Sequence, residues 1–166
     1  MKIFGKPLSE YIGFQKIILI LIIIVGLFRL ALTLIGVKNS IVVWFSLTAI
    51  TTLGWLYYSI RVYTSGFGSY KHLLPLLVIQ NSLAQCFTIL GIAIAIFNNK
   101  DNIFTADGFN GPYEGRSWIH AGAHILFGVI VLSLLWWAVG SLVMFITKKV
   151  ASKKKADVSQ QVVGDR

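Results

Sequence analysis

Apolar residues run in four long blocks along the chain, with polar residues gathered between them. The blocks cover Phe14 to Val37, Ile41 to Tyr63, Leu73 to Phe97 and Trp118 to Ile146. Each exceeds the ~18 residues above which an apolar run reads as a membrane-spanning helix, because ~20 helical residues cross a ~30 Å hydrocarbon core. The first is too long for the core of a signal peptide and has no small-residue cleavage pattern behind it. The fourth is longer than a bilayer needs, so it tilts or projects. β-Branched and aromatic residues in the second block favour strands in water but are ordinary in lipid-embedded helices. The expectation is an all-α integral membrane protein, a four-helix antiparallel transmembrane bundle over residues 1–147.

The connections differ. Lys38-Asn39-Ser40 reads as a tight turn and Thr64 to Lys71 as a short Gly/Ser link, so each joins antiparallel neighbours. Residues 98–117 form a longer loop with Asn, Asp, Gly and Pro turn formers, a length associated with function or disorder. Residues 148–166 make a polar, lysine-rich tail expected to be disordered past its first turns.

Basic residues set the orientation. One face of the bundle holds Lys2, Lys6, Lys16, Arg61, Lys71, Lys148, Lys149, Lys153, Lys154, Lys155 and Arg166; the other holds only Lys38, Lys100 and Arg116. Because Lys and Arg concentrate on the cytoplasmic side, both termini are expected inside and the 98–117 loop outside, in the plasma membrane. Trp44 and Trp118 near outer ends, with Tyr57 and Tyr58 near an inner end, suit interfacial aromatic belts.

Composition agrees with this picture. The chain is 56% hydrophobic and 13% charged, with a mean hydropathy of +0.76, whereas soluble domains are ~45–50% apolar and ~25% charged. The net charge of +9 sits beside spans, where basic residues meet anionic headgroups, so the tail lysines are expected on lipid and nucleic acid is not an expected partner. Cys86 lies within a span and is the only cysteine, which excludes an intramolecular disulfide.

Candidate chemistry is confined to a few polar residues inside the blocks. Arg29 lies about seven residues from the outer end of its span, or ~10 Å. A central arginine costs ~2.5–3.5 kcal/mol on insertion scales, so it either snorkels or serves an anion site. The blocks contain no acid, which leaves Glu114 and Asp107 of the loop as candidate carboxylate partners. His120 and His124, at i and i+4, leave one helix face one turn apart, a spacing that can hold a metal. They lie in the same outer layer as Arg29, whereas His72 belongs to the opposite end. Two histidines on one helix cannot be the opposite axial ligands of one haem. Asn81, Gln85 and Thr88 form a polar stripe on the third span, a pattern that usually joins helices. Pro75 reads as a first-turn position or a kink.

Nucleotide-binding, serine-hydrolase and Cys-x-x-Cys signatures are absent, as are the intramembrane carboxylates of many pumps, so the chain is not expected to be an enzyme. The leading expectation is a small scaffold or accessory subunit packing against other membrane subunits or a second copy of itself. One alternative is a redox or cofactor-binding subunit with haem or metal at His120 or His124 and Arg29 on a propionate or quinone oxygen. Another is a channel or carrier for an anion or small solute, using Arg29 and the Asn81/Gln85/Thr88 stripe. In each, the loop is expected to fold over the helix ends as a lid, with Glu114 contacting His120 or Arg29.

Overall fold

Four helices of the chain are long and apolar enough to cross a membrane, at 16–34, 39–64, 70–98 and 118–153. The computed structural model describes residues 2–106 and 115–164, with side chains to residue 153. A two-residue hairpin pairs β1 (Lys2–Ile3) with β2 (Lys6–Pro7). Its turn places Phe4 and Gly5 at positive φ, 49° and 90°, which suits the twist of a tight hairpin. Short α1 (Leu8–Phe14) follows, then α2 (Lys16–Leu34). α1 is anchored by Tyr11, whose fully buried side chain donates to the Ile3 carbonyl at 2.9 Å.

The second apolar block is not one helix. α3 (Asn39–Val42) stops, the backbone turns through residues 43–46, and α4 (Leu47–Thr64) restarts with the Ser46 hydroxyl accepting from Ala49 N–H at 3.2 Å. That cap satisfies one orphan donor of the new helix. α5 (Tyr70–Asn98) starts with a capping box in which Ser69 N–H donates to His72 Nδ1 at 3.0 Å, and it continues unbroken past Pro75. Asn99, at φ 50°, ends it in the left-handed region. α6 (Trp118–Ala123) runs into a π-helical segment, His124–Val131, and then α7 (Leu132–Gly164).

α7 carries the backbone on as helix to Gly164. Lys, Ala and Gln are good helix formers, and a helix already nucleated in the preceding span extends into them without a new nucleation cost.

α5 packs against α2, α4 and α7, while α2 and α7 occupy opposite corners. The core has two ends. At the end carrying the termini, Tyr11, Tyr58, Val62, Leu73, Leu76, Leu77 and Met144 form one buried cluster. At the end carrying the long loop, Leu30, Val42, Ile92, Ile103, Phe104 and Ala121 form another. Between helices, Trp55 Nε1 donates to Trp136 O and Trp137 Nε1 to Tyr70 O, both at 2.8 Å, and Asn81 Nδ2 donates to Ser133 Oγ at 2.9 Å. Fully buried Gln80, beside the expected stripe rather than on it, donates to Thr51 O at 3.1 Å.

Candidate functional site

The loop end is built by the turn that follows α5. Asn102 Oδ1 accepts from Phe104 N–H at 2.8 Å, and Asn102 Nδ2 donates to the Gly91 carbonyl of α5 at 2.8 Å. Thr105 Oγ1 accepts from Asn102 N–H at 3.1 Å and donates to Asp101 Oδ1 at 3.1 Å. These local bonds replace a ladder and fold residues 101–106 back onto the bundle. Ile103 and Phe104 are thereby buried. Gly91 is required there, because a Cβ at that position would collide with the Phe104 ring. Arg116 Nε lies 3.4 Å from Asp101 Oδ1, closing the base of the loop.

Beneath Phe104 is a cavity of about 260 Å³ lined by Arg29, Val43, Ser46, Leu47, Thr48, Gln85, Thr88, Phe104 and His124. Arg29, His124, Gln85 and Thr88, named from sequence on three different blocks, thus meet in one place. Asn81, the remaining stripe residue, is spent on Ser133 instead. Among the described lining residues none is acidic. The Arg29 guanidinium donates from Nη1 to the Phe45 carbonyl at 3.3 Å, and its carbon lies 4.9 Å from the Phe104 ring centre. The carbonyl is free to accept because the chain is broken between α3 and α4, and the ring face attracts the cation. Arg29 Nε is buried and has no hydrogen-bond partner among the described residues.

His124 forms the opposite wall. Its Nδ1 is 2.8 Å from Gln85 Oε1, and its Nε2 is 3.1 Å from Nε2 of His120. His120 is buried, with Nδ1 2.9 Å from the Gly115 carbonyl and its backbone N–H donating to Ser117 Oγ at 3.1 Å. Gln85 reaches His124 across Gly128, where a Cβ would stand 2.6 Å from the amide carbon of Gln85. The π segment begins at His124. Such segments carry an extra residue per turn and recur at functional sites.

The expected loop partners Glu114 and Asp107 lie outside the described residues. Within them, the group that reaches Arg29 from the loop is the Phe104 ring, not a carboxylate. Both Nε2 atoms of the pair face each other, with cavities of about 260 and 290 Å³ beside them. His72 caps α5 at the other end, as its place in the chain implied. Sequence reading missed Phe104, Asn102, Gly91 and the break at 43–46. Only the Asn-x-x-Thr spacing of Asn102 and Thr105 hinted at a structured turn.

Comparison with known proteins gives no match: no protein-family model, no curated protein and no solved structure.

Proposed function

We propose that the chain is an integral membrane protein, with both termini cytoplasmic, that binds a small oxyanion or carboxylate in its outer-leaflet cavity. The observation that carries this is Arg29: a guanidinium with a buried, unpartnered Nε at the wall of a polar cavity whose described lining residues include no acid. A half-buried cation with no counter-charge among the described residues and one N–H unpaired is costly, so the arrangement is accounted for when an anion completes it. Ser46 and Thr48 add hydroxyls that rotate to donate, and Gln85 adds an amide. The Phe45 carbonyl holds the guanidinium in place while leaving its remaining N–H groups for a planar, bidentate acceptor.

Membrane insertion is supported by the four long apolar helices, of whose most apolar windows only 17–33% is buried within the chain. Residues left open on these faces contact lipid or the spans of a larger complex, which keeps the accessory-subunit role compatible with binding. Orientation rests on the uneven distribution of Lys and Arg. A phosphatase fusion after Gly111 should be active and one after Lys155 inactive; the reverse pattern would overturn it.

Binding is tested by thermal unfolding of the purified protein in mild detergent with acetate, phosphate or sulfate, against chloride at matched ionic strength. Stabilisation should follow the logarithm of free anion over its dissociation constant. At least one of these anions should raise the unfolding temperature of the wild type and leave Arg29→Leu unmoved. Equal shifts in both proteins would remove the proposal.

A further inference from the structure

His120 and His124 turn their Nε2 atoms toward each other, 3.1 Å apart, with ring centres 5.0 Å apart and planes at 38°. The second nitrogen of each ring is already committed to oxygen, His120 Nδ1 to the Gly115 carbonyl at 2.9 Å and His124 Nδ1 to Gln85 Oε1 at 2.8 Å. A carbonyl oxygen only accepts, so each Nδ1 carries the hydrogen and donates it. Both Nε2 atoms of the neutral rings then hold lone pairs, and these two lone pairs face one gap. Repulsion between them is relieved by a cation in the gap.

We propose that this gap is a site for one divalent transition-metal ion of the imidazole-binding kind, Zn²⁺, Co²⁺, Ni²⁺ or Cu²⁺. Two nitrogens 3.1 Å apart, each ~2.0–2.1 Å from a shared ion, subtend roughly 100° at it, near the tetrahedral angle of zinc sites. Donation of the other ring N–H to a carbonyl is the arrangement that orients metal-bound histidines and raises their basicity. Here both rings have it. Among the described residues no third His, Cys, Asp or Glu joins them, so the ion is held by two imidazoles and keeps open positions. A second cavity, about 290 Å³ and lined by Gln85, His120, His124, Phe127, Gly128 and others, adjoins the pair and gives those positions room for water or an exogenous donor.

Gln85 decides between this site and its alternative. With its amide turned so that nitrogen faces His124, His124 Nδ1 would accept, His124 Nε2–H would donate to His120, and the gap would be filled by a hydrogen bond. The site shares Gln85 and His124 with the anion cavity but does not use Arg29, so Arg29→Leu tests the anion site without touching this one.

The test is equilibrium dialysis of tag-free, full-length protein in detergent against Zn²⁺ or Co²⁺ alone, at about pH 7.5, where neutral imidazole is available. About one ion per chain is expected, and the Co²⁺ form should show visible bands of a four- or five-coordinate ion. His120→Ala and His124→Ala should each weaken binding at least tenfold, and Gln85→Leu by ~10–100-fold, the range for lost outer-shell partners. Helix content should be retained in each. His72→Ala and Arg29→Leu should bind as the wild type does. Wild-type binding no greater than that of the His120/His124 double alanine variant would overturn the site. Nitrogen NMR showing His124 Nδ1 unprotonated and unchanged by Zn²⁺ would overturn it equally.

Discussion

The two ends of the bundle are built by opposite means. At the end carrying the termini, aromatic and aliphatic side chains fill the space: Tyr11 and Phe14 from α1 lean on Phe67, with ring centres 5.5 and 4.0 Å apart, over a floor of Tyr58, Leu73, Leu76 and Met144. At the loop end, polar residues line space that is left open, and the backbone is irregular on both sides of it, broken at 43–46 and π-helical at 124–131. Close packing is the ordinary state of a protein interior. The loop end departs from it by placing polar side chains and the Arg29 guanidinium around open space, and it is there that we place the proposed anion.

Truncation should separate the two ends most clearly. Phe104→Ala removes a buried ring and should cost ~3–5 kcal/mol, and Leu76→Ala ~2–5 kcal/mol. Both should lower the unfolding temperature, but only Phe104→Ala should also reduce the anion-dependent shift, since it opens the cavity roof beside Arg29. An equal loss of anion response in Leu76→Ala would show that the ends are not independent. Gly128→Ala should cost ~1–3 kcal/mol as an overpacking change, because its Cβ meets Gln85. Its signature is a changed His124 imidazole resonance, and an unchanged one would mean that Gln85 does not need the gap.

Smaller effects are expected from the lysines at the opposite end. Lys148 Nζ lies 4.2 Å from the Tyr70 ring centre and 5.4 Å from that of Tyr63. Each tail lysine should contribute ~1 kcal/mol to contact with anionic headgroups, fading as salt shortens the screening length. A synthetic peptide of residues 148–166 binding neutral and anionic vesicles alike would leave the lysines as an orientation signal only. Least is expected of Asn81→Leu, which removes one interhelical hydrogen bond worth ~0.6 kcal/mol in membrane proteins. It should leave both cavities unaltered, and a loss of anion response would extend the site along the whole stripe.

The four long helices were legible because apolar length is a strong and nearly context-free signal. Depth arithmetic also placed Arg29 and His124 in one layer, and the i, i+4, i+7 stripe directed Gln85 toward them. What was not legible depends on contacts between distant segments. Nothing in the run from Ile41 marks the break at 43–46, because lipid-facing sequence is apolar whether or not the helix is continuous. Phe104 reads as a loop residue until Asn102 ties its turn to Gly91. Glu114 was named because charge complementarity can be read from sequence, whereas the aromatic face of Phe104 against the guanidinium needs coordinates.

The central claim is that Arg29 holds an anion, and the most direct measurement is a dipolar distance. Solid-state NMR of the protein in lipid, with ¹⁵N-arginine and acetate labelled with ¹³C at the carboxylate, reports that contact. The expected result is a coupling between the carboxylate carbon and an arginine side-chain nitrogen, of the strength set by an N–H to oxygen bond of ~2.7–2.9 Å, present in the wild type and absent in Arg29→Leu. A coupling that persisted in Arg29→Leu would assign the anion to Arg61, Arg116 or Arg166, and no coupling in the wild type at saturating acetate, phosphate-free, would contradict the account.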